Sequence, residues 1–137
     1  MTRYLLDTDT LSDLVKRTPR PALLGRLAGL PSATIYSTVI SVFELRLGCR
    51  RRGAGGDALW KKIQDEVLGN VQILTFGPRH AIRAGDLLGE LLANGTPIGV
   101  EDTLIAAIAL VEDACVVTGN VRHFARVPGL RVENWLE

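Results

Sequence analysis

The sequence predicts an α/β protein, a three-layer α/β/α sandwich on a central, mainly parallel sheet. Three observations carry that expectation. Short β-branched or apolar runs alternate with longer stretches of helical periodicity from one end to the other. No internal repeat or low-complexity segment interrupts the alternation. The chain has 137 residues, 47% apolar and 23% charged, a folded composition able to bury one continuous core. We therefore expect a single domain over residues 1–137.

Residues 3–7 read as the first strand, an apolar run that delivers Asp7 to its carboxyl end. Ligands of open α/β sheets collect at that end of the strands. Thr10 is expected to cap a short helix with Leu11, Leu14 and Val15 at i, i+3, i+4 spacing. Pro19 and Pro21 end it, and Pro21 suits the first turn of a second helix through about Leu27. Gly29 and Pro31 break that helix in turn. Thr34 to Thr38 is a β-branched second strand.

Ser41 is then expected to open a helix, with Ser41 and Glu44 at capping-box spacing. Val42, Leu45 and Cys49 share one face; Phe43 and Leu47 form a second apolar strip. Gly53 to Gly56 reads as a flexible break. A helix follows over about Asp57 to Leu68, and a third strand over Val71 to Phe76. Residues 78–93 carry apolar residues at helical intervals, stopped by Asn94-Gly95-Thr96-Pro97. Val100 to Val111 is a nearly all-apolar helix that must be largely buried. Cys115 to Thr118 is the fourth strand, ending in Gly119-Asn120. A last short strand near Leu130 to Glu133 precedes Trp135.

Asp7, Glu44 and Asp102 stand at strand ends or helix starts, positions that a parallel sheet brings to one edge. Each has a local explanation alone: Asp7 as a helix cap, Glu44 as the capping-box acid, Asp102 as an acid favoured by the helix dipole. Together they point to chemistry. Buried carboxylates are costly and repel one another unless a cation or a hydrogen-bond network compensates. Mg²⁺ does so, taking a few carboxylates plus waters and phosphate oxygens.

Four segments resemble, in order, the motifs of the PIN-domain ribonucleases, and most nearly the VapC toxins. They are Leu5-Leu6-Asp7-Thr8-Asp9, Ile40-Ser41-Val42-Phe43-Glu44-Leu45, Gly99-Val100-Glu101-Asp102-Thr103-Leu104-Ile105-Ala106-Ala107, and Val117-Thr118-Gly119-Asn120-Val121-Arg122-His123-Phe124. The similarity includes the closing Pro128-Gly129-Leu130 and Glu133-Asn134-Trp135 segments. It implies a PIN-like fold and a Mg²⁺- or Mn²⁺-dependent endoribonuclease held inactive by a VapB-like antitoxin. On that reading Asp7, Glu44 and Asp102 form the acidic triad, with Asp7 and Asp102 as direct metal ligands. Glu44 would bind through water or hold a second ion. Asn120 occupies the place of a fourth acid, and Asp9 stands where the family has Asn. An amide positions metal-bound water without adding charge; Asp9 is expected to cap the first helix.

The surfaces carry further expectations. The net charge of +1 conceals a cluster of Arg46, Arg50, Arg51 and Arg52, which reads as a solvated helix end, a phosphate track or a contact for an acidic antitoxin segment. Arg122 is a second candidate for gripping RNA. Phe43 and Leu47, with Trp60 and Ile63 as candidates to join them, read either as a groove for an antitoxin helix or as a strip buried by the domain itself. Leu87, Leu88, Leu91 and Leu92 are read as a homodimer face. His80 and His123 are read as structural or surface residues, His123 at the mouth of the site. Cys49 and Cys115 lack metal-ligand spacing and read as buried reduced thiols. No signal peptide or membrane-length apolar run appears, so a cytoplasmic protein is expected.

Two other readings compete. Asp7-Thr8-Asp9-Thr10-Leu11 approaches the Asp-x-Asp-x-Thr signature of haloacid-dehalogenase phosphohydrolases, but Leu11 breaks its fifth position. A catalytically inactive PIN-like RNA-binding module is opposed by the intact acids.

Overall fold

Leu5 and Leu6 are both fully buried although adjacent side chains of a strand point to opposite faces. Both faces of the sheet must therefore be covered, which is the condition for a buried parallel sheet. The computed structural model describes residues 1–137, and five strands form its one sheet: β1 (Arg3–Leu6), β2 (Ile35–Thr38), β3 (Gln72–Leu74), β4 (Ala114–Val117) and β5 (Val132–Glu133). Their order is β3-β2-β1-β4-β5, and every pairing is parallel. The three-layer α/β/α expectation holds.

Seven helices cover the faces: α1 (Thr8–Leu14), α2 (Pro21–Ala28), α3 (Val39–Arg52), α4 (Gly56–Glu66), α5 (Pro78–Ala93), α6 (Val100–Glu112) and α7 (Val121–Phe124). Leu5 and Val116 lie in one core cluster with Leu87, Leu91, Ile105, Ile108 and Phe124. Leu6 and Val117 lie in the other with Leu11, Leu23, Leu45, Ile63 and Trp135. Within β1 and β4, which pair in register, each step along the chain changes sides. Cys49 and Cys115 are buried and free. No helix is long and apolar enough to cross a membrane.

The strand order reverses at β1, whose neighbours are β2 and β4. Connections leave the sheet in opposite directions on either side of such a point and open a crevice beyond the carboxyl ends of the strands. Asp7 follows β1, and Thr118 to Asn120 follow β4. The fold itself thus brings those residues together.

Several local expectations are corrected. Asp7 caps α1, its Oδ1 accepting the Thr10 N–H at 2.9 Å; neither Thr10 nor Asp9 does so. Thr10 instead sends its hydroxyl to the Val117 carbonyl at 3.0 Å, tying α1 to β4. In α3, Thr38 is the cap and accepts the Ser41 N–H, so Ser41 and Glu44 form no capping box. Residues 53–56 are a tight turn rather than a loose break. Gly53 and Gly55 adopt φ of +70° and +82°, a region costly for other residues. A Cβ on Gly56 would run into the Cys49 carbonyl. The four-residue α7 was not expected, being too short to show a period.

Candidate active site

Asp7 lies at the floor of the crevice, only 5% exposed. Its backbone N–H extends the β1–β4 ladder by donating to the Val117 carbonyl at 3.0 Å. Burial pushes the carboxyl up to about 6, against the pull of hydrogen bonds from Thr118 and the Thr10 backbone. Asn120 supplies the next link: its backbone N–H donates to Thr118 Oγ1 at 2.9 Å. The Asn120 backbone therefore holds the Thr118 hydroxyl, which acts on Asp7, while the Asn120 side chain is exposed.

Glu44 projects from the second turn of α3. Thr8 Oγ1 donates to Glu44 Oε1 at 2.6 Å and lies 2.9 Å from Ser41 Oγ. Burial raises the Glu44 pKa, and the charges of Asp102, Glu101 and Asp9 raise it further; the Thr8 bond opposes them. Asp102 stands in the first turn of α6, with Oδ2 3.3 Å from His123 Nδ1. Its pKa too is raised, by burial and then by Asp9 and Glu101, with His123 pulling it down.

The three acids predicted from sequence thus share one electrostatic environment. Asp9 belongs to that environment rather than to the helix cap, since its charge raises all three. Thr8, Ser41 and Thr118 were missed, and so was the charge of exposed Glu101. Hydroxyls next to motif acids were the available signal. His123 is more than a surface residue, because it is the hydrogen-bonding partner of Asp102. His80 is structural: its Nδ1 accepts the Gly77 N–H at 2.9 Å, and its Nε2 lies 3.5 Å from Glu112.

No three of the chain's carboxylates, imidazoles and thiols stand close enough to hold one ion by themselves. The donor chemistry nevertheless fits a hard divalent cation, which takes one or two carboxylates and fills its remaining positions with water. Carboxylates with raised pKa at one edge are groups that a cation would relieve.

Around this edge the surfaces separate. On α3, Phe43 is 57% exposed and Leu47 37%. With Val39, Val42, Arg46, Arg50 and Trp60 they line an open groove of about 520 Å³. The Arg46 guanidinium sits 5.2 Å from the Trp60 ring centroid. Ile63 does not join this strip but is buried with Leu45 and Cys49. Leu87 and Leu91 are likewise core residues, so the expected leucine face reduces to Leu88 and Leu92.

Comparison with known proteins places this architecture. The PIN domain family matches residues 4–130. A tRNA(fMet)-specific endonuclease VapC from Salmonella typhimurium is 30% identical over 135 residues, covering 98% of this chain and 99% of that protein. Ribonuclease VapC2 from Haemophilus influenzae is 33% identical over 136 residues, covering 99% and 100%. The solved structure of DNA-bound VapBC from Salmonella typhimurium superposes with a TM-score of 0.89 at 29% identity, covering 98% and 99%. The matched span contains every residue of the crevice, from Asp7 after β1 to His123 in α7. The chain belongs to the PIN-domain family, among the VapC proteins.

Proposed function

We propose that this protein is the toxin of a toxin–antitoxin pair, an endoribonuclease that hydrolyses RNA phosphodiester bonds with Mg²⁺ or Mn²⁺ in the cytoplasm. The observation that carries the reading is the arrangement of Asp7, Glu44 and Asp102 at the switch point of the sheet. Each carboxylate has a raised pKa and its own hydrogen-bond partner. Relatives that share the whole architecture bear the names of ribonucleases.

Asp7 and Asp102 would hold the ion, and Glu44 would orient water bound to it. Such an ion lowers the pKa of coordinated water and neutralises charge developing on the scissile phosphate. The protein's part is placement. Asp7 is fixed by the Thr10 N–H, Glu44 by Thr8, and Asp102 by His123. Asn120 adds no charge where it would otherwise increase repulsion. The family assignment displaces the haloacid-dehalogenase alternative.

The partner is a VapB-like antitoxin, and solved relatives are VapBC complexes. Its helix would lie in the Phe43–Leu47–Trp60 groove, where exposed apolar side chains await cover. A homodimer would use the α5 face that keeps Leu88 and Leu92, the latter 59% exposed.

The test is cleavage of end-labelled RNA by the purified chain with Mg²⁺ or Mn²⁺, with and without EDTA. Cleavage that EDTA abolishes supports the reading. Cleavage indifferent to EDTA, or none with either metal, opposes it.

A further inference from the structure

Two helices leave the acidic edge side by side, and the residues facing each other across them repeat at one-turn spacing. From the α1 side come Thr8, Ser12 and Lys16; from α3 come Glu44, Gly48 and Arg52. Intervals of four residues keep Thr8 and Ser12 on one face of α1, and Glu44, Gly48 and Arg52 on one face of α3; Lys16 follows just beyond the end of α1. Thr8 and Glu44 close the near end with their 2.6 Å hydrogen bond. Lys16 and Arg52 stand at the far end, and Val15, Leu45, Cys49, Leu59 and Ile63 make an apolar floor. The cleft is about 440 Å³, within the range of about 300–1,000 Å³ typical of small-ligand pockets.

We propose that this cleft is a subsite for a nucleotide of single-stranded RNA flanking the bond to be cut. The inference rests on the ribonuclease reading and adds where the strand runs. The base lies on the apolar floor and its phosphate on the cations. A polarity running from acids to cations suits a strand whose scissile phosphate is at the acids and whose neighbouring phosphate is not. Lys16 is partly neutralised, its Nζ lying 3.0 Å from Asp13 Oδ1. Arg52 forms no salt bridge, so it carries the free positive charge. Gly48 leaves the cleft open: a Cβ there would touch nothing within 4 Å. The antitoxin groove proposed above uses other residues of the same helix, Phe43, Leu47 and Arg50. Thus α3 would present one strip to RNA and the adjacent strip to protein.

The experiment compares wild type, Gly48→Leu, Arg52→Ala and a control, Arg79→Ala. Arg79 is exposed at the start of α5, next to His80 and so to the far end of α6. Cleavage of a single-stranded RNA oligonucleotide by the wild type with Mn²⁺ is the entry condition; its failure would reject the ribonuclease reading itself. Given that activity, Gly48→Leu is expected to raise KM at least tenfold while circular dichroism and Tm show an intact or stabilised fold. Arg52→Ala is expected to raise KM several-fold. It should also reduce the slope of log affinity against log salt by about 0.7, the value for one phosphate contact on a single strand. Arg79→Ala should change neither. Unchanged KM in both cleft variants would overturn the proposal. So would an effect confined to binding of a VapB-like antitoxin, which would assign the cleft to the protein partner.

Discussion

Thr8 Oγ1 donates to Glu44 Oε1 at 2.6 Å, joining the first turn of α1 to the second turn of α3 across 36 positions of sequence. The bond holds a carboxylate that burial and three neighbouring acids oppose. Thr8→Val keeps the shape of the side chain and removes its hydroxyl. We expect kcat to fall about tenfold, equivalent to ~1.4 kcal/mol in the barrier, with little change in KM. Single-turnover kinetics would check this; a change in KM alone would assign Thr8 to substrate binding instead.

His123 offers a sharper discrimination. Its Nδ1 is the atom near Asp102, at 3.3 Å. An asparagine amide nitrogen occupies nearly the place of Nδ1, whereas the glutamine nitrogen reaches the place of Nε2. His123→Asn should therefore retain most activity, while His123→Gln and His123→Ala should lose it and need more metal for half-maximal rate. Equal loss in all three would mean that the ring itself, not its bond to Asp102, is required.

Asp7 links function to stability with opposite signs. Its carboxyl is pushed from 3.8 up to about 6 in the folded protein. Between those values the native state binds more protons than the unfolded state, so this contribution to stability falls as pH rises. The loss is complete above the folded pKa and amounts to roughly 3 kcal/mol at most. Asp7→Asn removes the charge and preserves an acceptor for the Thr10 N–H, since asparagine caps as well as aspartate. Metal-free Asp7→Asn should thus be more stable than wild type near neutral pH by about 2–3 kcal/mol in urea unfolding. The difference should shrink toward zero as pH falls below about 4.

Asn120→Asp tests the missing fourth acid. The main-chain bond to Thr118 survives the substitution, so the fold should persist. An added carboxylate should lower the stability of the metal-free protein and increase the stabilisation by Mn²⁺, read as a larger Tm shift on titration.

The alternation of strand and helix was legible because it rests on hydrophobic periodicity, a local property. The apolar stretch of α6 could only be a buried helix, and Leu5-Leu6 could only be a strand covered on both sides. The positions of Asp7 and Asp102 were legible for the same reason, at a strand end and in the first turn of a helix, whereas Glu44 stands in the second turn of α3. Caps were less legible. Asp7, Thr8, Asp9 and Thr10 are all competent caps, and only the packed backbone chooses Asp7. Thr38 likewise displaces Ser41, because α3 begins at Val39, directly after β2. The partners of the acids were out of reach of local reasoning. Thr8 meets Glu44, and His123 meets Asp102, only through the sheet order. Which leucines of α5 are core depends in the same way on α6 lying against them.

On the proposed function, Asp7 and its neighbouring acids carry out metal-dependent cleavage of RNA. The most direct measurement is the single-turnover rate of cleavage of one labelled RNA by wild type and by Asp7→Asn, both shown folded by circular dichroism and held at saturating Mn²⁺. The expected result is a loss of at least a thousandfold in a variant that remains folded. Equal rates from the two proteins would contradict it.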